Sequence, residues 1–483
     1  MLRNPFKMAH GRSPIEQYFD KVTSYHYFFF SLIFFSKWPL FWHIIGLIFL
    51  TPPMDYTCGK DGGKNTCPCD DPVWNRTVFT ETVQSKFNIL CEKTWMISFS
   101  QSMLYVGLLI GAMSFGFMSD RFGRLRMFSI SCVTTAVAGT LVVVMPTATT
   151  FIAARCVEGI GVGGAIVTSY VLCVEYCGVS YRETVTALFH IPINIGHSSL
   201  ALVSYLLRSC DHYQIALSIP VYVCCLIYCL TNESPKWLVD SNNIPKATLV
   251  MQKIAKFNKD PPEKIKSEMD SYYYNYKSTT HVKLSFWQIF KYRRLTINLA
   301  CMSFIYFMCG MGYYGVSLYI GKMSGDIHAN VAISGALLIP GTIASTFLMK
   351  ILGRKTFLMG TCFISGILML IVISIPARLA FARVICACIC NCFFFMSFII
   401  VFLYGVELFP TSIRNSVLGF LSTLSRLGQI SAPPLNILPE TVSGAIFGAM
   451  AITGGILCIP LPETKNTELP DSLEDTSNVQ SRK

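Results

Sequence analysis

Gly116-Phe117-Met118-Ser119-Asp120-Arg121-Phe122-Gly123-Arg124 closes one apolar run and opens the next. A tight glycine-containing turn lets the two spans it joins approach closely. Its acid and two arginines offer charge-assisted bonds at the helix ends. Part of the stretch returns later in the chain. Gly123-Arg124 is echoed by Gly353-Arg354, Ala154-Arg155 by Ala382-Arg383, and Glu175 through Arg182 by Glu407 through Arg414. Glu233-Ser234-Pro235 has its counterpart in Pro462-Glu463-Thr464. All four pairs lie about 230 positions apart, which is the mark of an internal repeat.

What repeats is a set of apolar runs. Of the 483 residues, 52% are hydrophobic and 14% charged, against about a quarter charged in soluble domains. The mean hydropathy is +0.49. Runs of about 20 apolar residues read as bilayer-spanning helices. Twelve are expected, at 27–50, 95–118, 127–146, 151–174, 184–207, 213–231, 294–314, 329–350, 356–375, 380–404, 416–438 and 441–461. The expected fold is therefore an all-α membrane protein of two pseudo-symmetric six-helix halves. The halves cover 27–231 and 294–461, a basic linker covers 232–293, and the ends are 1–26 and 462–483. Parallel halves of this kind enclose a site near the bilayer midplane and rock around it.

Charge gives the expected orientation. The net charge of +12 suits basic cytoplasmic loops rather than nucleic-acid binding. Arg121, Arg124, Arg126, Arg182, Arg354, Lys355, Arg414 and the lysine-rich linker fall on one side, with both termini. The first run follows about two dozen polar and charged residues and has no small-residue cleavage site, so it does not read as a signal peptide. The 51–94 segment is then the one large exofacial loop. It holds Cys58, Cys67, Cys69 and Cys91. Two disulfides are expected, with three pairings open; zinc is the competing reading, but Cys67-Pro68-Cys69 lacks the usual two-residue gap. Asn75-Arg76-Thr77 is a glycosylation sequon on the same loop. No metal and no cofactor are expected. Gly159, Gly161 and Gly164 fit a dinucleotide fingerprint by chance, with no strand before them; close helix packing explains them, as it does Gly107 and Gly111.

The motifs together resemble a known family. Gly116 through Arg124 is similar to the loop signature of the major facilitator superfamily. The cysteine-bearing loop, the long linker, Glu233-Ser234-Pro235-Lys236-Trp237, Glu407-Leu408-Phe409-Pro410 and Leu461-Pro462-Glu463-Thr464 resemble its organic cation/anion/carnitine transporters, the solute carrier 22-like group. The likeness runs from about residue 15 to 475. It implies transport of small organic ions by alternating access at the plasma membrane. It also implies gating roles for Asp120, Arg121, Arg124, Glu175, Arg182, Glu407 and Arg414. The plainer account, topology alone, serves for Arg126 and Lys355 but not for an acid such as Asp120.

Ionisable residues deep in spans are costly and mark function. Arg426 and Lys37 lie near mid-span and are the candidate substrate-binding charges; Glu158 is the one deep acid in view, one turn from Arg155. His190, Asn194 and His197 share a helix face, either toward substrate or toward a neighbouring span. Tyr313, Tyr314, Phe398 and Tyr404 are the aromatic candidates. The resemblance implies that an aspartate at the Arg426 position goes with cation transport and arginine with anions or carnitine. Ser422-Thr423-Leu424-Ser425-Arg426-Leu427-Gly428 thus favours a carboxylate-bearing anion or zwitterion. Thr342 and Leu338 depart from the lysine and acid often found at those positions, and Lys37 is the candidate second cation. An organic cation transporter remains the alternative, and a receptor or channel a more distant one. No HExxH motif or paired intramembrane carboxylates point to an enzyme. The substrate, lipid and an unassigned coupling ion are the partners expected.

Overall fold

The computed structural model describes residues 13–52, 54–59, 63–69, 71–178, 181–274, 286–410 and 413–465. Twelve long helices carry the fold. In the first half they are α1 (Ser24–Ile45), α2 (Trp95–Phe122), α3 (Arg124–Leu141), α4 (Ala148–Glu175), α5 (Ile191–Leu206) and α6 (Cys210–Cys225). In the second they are α7 (Arg293–Ile320), α8 (Ile327–Leu352), α9 (Arg354–Ser374), α10 (Ala380–Leu408), α11 (Arg414–Leu435) and α12 (Glu440–Leu457). Phe117, Phe347, Leu202 and Phe381 are all more than half exposed on their outer surfaces. Apolar surface of that extent belongs in hydrocarbon, where helices alone can satisfy their own backbone.

Ten of these helices have the length and hydropathy of a membrane span. The two others are the expected runs at 184–207 and 416–438, and the reasons differ. The first is cut in two: Arg182–Leu188 forms a short helix, a turn follows at Phe189 and His190, and α5 has only 16 residues. The second has full length, but four serines, Thr423, Arg426 and Gln429 dilute its hydropathy, as suits a helix lined against a polar interior. The first expected run also breaks at Gly46, beyond which Leu47–Leu50 makes a further turn.

Small residues set the closest helix contacts. A Cβ on Gly107 would lie 2.0 Å from the Cys156 carbonyl, and one on Gly111 2.0 Å from that of Ile160. In return, a Cβ on Gly159 would lie 2.2 Å from the Leu104 carbonyl. The glycines of α2 and α4 thus let the two backbones touch.

One face of the bundle carries the Gly123 turn, the linker and the starts of α1 and α7; we call it the basic face. The described part of the linker forms helices Pro235–Asp240, Ile244–Phe257 and Pro262–Tyr274. Ile244–Phe257 starts on an Asn243 cap and buries Ala247, Val250, Met251, Ile254 and Ala255, one stripe at helical spacing. Asn258 ties it to the N-terminal segment: its amide donates to the Tyr18 hydroxyl and to Thr23 Oγ1, and its oxygen accepts from the Tyr25 N–H. Tyr18 in turn donates to Asp260 at 2.7 Å. Burial first, and then Asp260, push this phenol up to about 12, so it stays a donor.

The opposite, loop face carries a two-stranded antiparallel ribbon, β1 (Tyr56–Cys58) against β2 (Pro72–Trp74). Of the three pairings open to the four cysteines, the structure has Cys58–Cys69 and Cys67–Cys91, with Cα atoms 5.6 and 5.8 Å apart. Asn75 is exposed, and its side-chain oxygen accepts the Thr77 N–H.

Candidate substrate site and gates

Lys37 sits halfway along α1 and is 2% exposed. Its Nζ donates to the Ile166 carbonyl of α4 at 3.0 Å and lies 4.0 Å above the Phe189 ring. Among the described residues no carboxylate meets it. Arg426 sits about midway along α11 of the other half. Close backbone contacts hold the helix on both sides of it, since a Cβ on Gly310 would lie 2.0 Å from the Ser425 carbonyl and one on Gly428 2.1 Å from that of Phe307. Among the described residues Arg426 has no ion pair or hydrogen bond; its electrostatic neighbour is the phenol of Tyr314.

Rings run from one cation toward the other. Phe189, under Lys37, is edge-on to His190, and His190 is edge-on to Phe395 of α10 at 6.0 Å. Phe395 meets Tyr313 at 4.8 Å, and Tyr313 meets Tyr314 at 4.8 Å, beside Arg426. Phe398 touches both tyrosines, and Tyr105 of α2 reaches Tyr314 at 5.6 Å. Among the described residues, His190 Nδ1, Tyr313 Oη and Ser425 Oγ along this chain of rings are buried with no hydrogen-bond partner. Buried polar atoms seek partners, so the chain is lined for a ligand or for water.

The other candidates are placed differently. The Asn194 amide donates to Thr342 Oγ1 at 2.7 Å and to the Leu338 carbonyl at 3.1 Å, tying α5 to α8 across the halves. His197 lies one turn further on, its ring tilted 34° to that of Phe41 of α1 at 6.3 Å, and its Nδ1 has no hydrogen-bond partner among the described residues. Tyr404 is fully buried near the basic face, where its hydroxyl donates to the Pro462 carbonyl.

Near the basic face each half has the same buckle. Gly123 and Gly353 stand at φ +110° and +91°, conformations that glycine adopts freely. Each turn is pressed against a carboxylate: a Cβ would lie 2.5 Å from Glu233 in one and 2.6 Å from Glu463 in the other. Glu233 accepts the Leu125 N–H at 2.9 Å, and Glu463 accepts those of Arg354 and Lys355 at 2.8 and 3.1 Å. An acid at a helix N-terminus is favoured twice, by the free N–H groups and by the dipole. Arg124 bonds Asp120 and, through Nε at 3.0 Å, Glu175. Arg354 grips Glu407 with Nε and Nη2 at 3.0–3.1 Å, and Thr464 adds a bond to that carboxylate at 2.6 Å. These bonds join helix ends within one half. The positions Glu233, Glu463 and Arg354 belong to the repeat, but their share in the buckle was not read from the sequence.

Glu158 is satisfied more fully than the sequence implies. Arg155 donates to it at 2.9 Å, Gln214 of α6 donates at 2.9 Å, and His43 of α1 pairs with it. The acid thus binds three helices of the first half together and is fully occupied there. It is not the partner of Lys37 or Arg426.

Two further contacts join the halves toward the loop face. Ser102 of α2 donates to the Ile430 carbonyl of α11 at 2.9 Å, and Ser204 of α5 meets His328 of α8 at 3.3 Å.

Comparison with known proteins agrees with this architecture. The family model for sugar (and other) transporters matches residues 69–473. Solute carrier family 22 member 6 of Danio rerio is 30% identical over 420 residues, covering 85% of this chain and 74% of the relative. A Drosophila melanogaster protein named organic cation transporter protein is 29% identical, covering 86% and 77%. Human solute carrier family 22 member 13 is 28% identical, covering 85% and 74%. The inward-open structure of the E. coli xylose transporter XylE superposes with a TM-score of 0.66 over 94% of this chain and all of that one, at 16% identity; this likeness concerns the fold. The chain belongs to the sugar (and other) transporter family of the major facilitator superfamily, in its solute carrier 22 group of organic ion transporters.

Proposed function

We propose that the protein carries organic ions bearing a carboxylate, either simple anions or zwitterions, by alternating access. One observation supports this above the others. Each half contributes a cation near mid-membrane that no carboxylate of the described chain neutralises, Lys37 and Arg426. A central lysine or arginine costs a helix about 2.5–3.5 kcal/mol on insertion scales. The one deep acid nearby, Glu158, is held by Arg155, His43 and Gln214. A bound carboxylate relieves this cost, and the guanidinium of Arg426 can hold it through two parallel bonds. The rings between the cations take the apolar body of the substrate.

A second reading has its own support. Tyr313, Tyr314, Phe395 and Phe398 form the kind of aromatic surface that also receives quaternary ammonium groups. The name of the Drosophila relative points the same way. Two positive charges at the ends of that surface oppose a bare cation, whereas a zwitterion satisfies both features.

We further propose that the basic face is cytoplasmic and the loop face extracellular at the plasma membrane. The linker at 232–293 then joins the halves 27–231 and 294–461 from inside. The test is an uptake screen in cells over labelled monocarboxylates, amino-acid conjugates, a carnitine-like zwitterion and a quaternary cation. Saturable uptake of a carboxylate or zwitterion is expected. Uptake of the quaternary cation alone overturns the reading.

A further inference from the structure

His328 stands in the first turn of α8, beside the Asp326 cap, and belongs to the second half. Its Nδ1 lies 3.3 Å from Asp326 Oδ1 of its own half, and the ring's other contacts come from the first half. Phe49, beyond α1, stacks on it at 5.3 Å and 15°. Phe79, from the disulfide-bearing loop, stacks at 5.4 Å and 30°. Tyr205 of α5 meets it edge-on at 5.7 Å, and Ser204 lies 3.3 Å from Nε2. Phe49 and Phe79 are 2% and 6% exposed.

The loop that brings Phe79 here is fastened to the first half immediately after that residue. Thr80 N–H donates to the Arg208 carbonyl at 3.1 Å, and Cys210 N–H to the Glu81 carbonyl at 2.9 Å. Further along, Lys86 pairs with Asp211 at 2.7 Å and donates to the Val143 carbonyl at 2.8 Å. The Cys67–Cys91 disulfide spans the segment from outside it. Phe79 is therefore carried as part of the first half, yet its ring packs on the second.

We infer that the disulfide-bearing loop is a working part of the gate on its own face. Phe79 and Phe49 clasp His328, and the clasp parts each time the halves separate there. Two halves that rock about a central site must break whatever joins them at the rim. The loop thus does more than cover the rim: it sets how long that side stays shut.

The clasp is testable without knowing the substrate, though the side of reagent addition rests on the orientation proposed above. Ser102 is 6% exposed and donates across the same seam to Ile430, so a cysteine there reports opening. Ser102→Cys is labelled in intact cells with a membrane-impermeant maleimide, against the same background without that cysteine. Loss of one stacked ring is expected to raise the labelling rate about three- to tenfold in Phe79→Ala and in His328→Ala. His328→Phe keeps a ring in place and should label near the starting rate. Val78→Ala, at an exposed neighbouring position, should do the same. If Phe79→Ala does not reach the surface, Phe79→Leu carries the test with a smaller rise expected. Unchanged rates in the ring-removing variants overturn the proposal, as does a rise in His328→Phe equal to that in His328→Ala. Labelling only after permeabilisation, in every variant, contradicts the orientation instead; the same rates compared in permeabilised cells still decide the clasp.

Discussion

Replacing Glu407 by glutamine tests the buckle where the structure makes it strongest. The Glu407 side chain is 14% exposed and that of Arg354 15%. Its carboxylate takes bonds from two guanidinium nitrogens and from Thr464. Glutamine keeps the shape and one acceptor but removes the charge. Hydrogen bonds to charged groups contribute about 1.5–3 kcal/mol and neutral ones about 0.5–1.5, so the loss is about 2 kcal/mol. On the scale of domains of 150–250 residues that lowers the unfolding midpoint by about 4–8 °C. Asp120 is the contrasting case. Its side chain is 68% exposed, and exposed pairs contribute at most about 1 kcal/mol. Asp120→Asn should therefore shift the midpoint by no more than half as much. Glu175→Gln should fall between them, because Arg124 reaches Glu175 through a single nitrogen. The assay is thermal unfolding of the purified protein in detergent, with surface-normalised transport measured beside it. Vmax should fall in the same order with KM little changed, since the buckles lie at helix ends away from the rings. A larger loss for Asp120→Asn than for Glu407→Gln, or no loss for Glu407→Gln, refutes the reasoning.

Three further outcomes are expected. Endoglycosidase should shift the mobility of wild type but not of Asn75→Gln, both made in a glycosylating cell; no shift in wild type counts against the proposed orientation. Gly111→Leu should sharply reduce the folded yield, because even a Cβ would lie 2.0 Å from the Ile160 carbonyl; Gly360→Ala, with nothing within 4 Å of its Cβ, should leave the yield unchanged on size-exclusion chromatography. Asn194→Ala removes the tie between α5 and α8 and should lower turnover for every substrate alike by about three- to tenfold, the equivalent of a buried hydrogen bond or so; a substrate-selective loss would assign Asn194 to the site instead.

Much of this molecule is legible in its sequence because a bilayer punishes exceptions. Apolar runs of the right length leave few choices, and the repeat fixes how they pair into halves. Span boundaries fail where local chemistry intrudes, as at the Phe189–His190 turn before α5 and in the polar α11. The site was legible one residue at a time. Lys37 and Arg426 stand out because charge is rare in a span, but periodicity cannot show that rings connect them. Phe189 and Phe395 escaped notice among 35 phenylalanines, since only packing distinguishes a ring facing the interior from one facing lipid. His43 and Gln214 were missed for a related reason: their partner Glu158 lies 115 and 56 residues away in the chain, beyond any local pattern. The buckle acids Glu233 and Glu463 were visible as repeats, yet their capping role needs a helix N-terminus about 108 residues distant.

Charge selection at Arg426 is the central claim, and uptake of one carboxylate and one quaternary cation tests it most directly. Wild type, Arg426→Lys and Arg426→Asp are compared, each normalised to surface protein. Arg426→Lys keeps the charge but loses the planar fork, so carboxylate uptake should fall about tenfold or more. Arg426→Asp should abolish carboxylate uptake and shift the ratio toward the cation. Equal reduction of both substrates in both variants would make Arg426 a structural group, and wild type that carries only the quaternary cation would contradict the account.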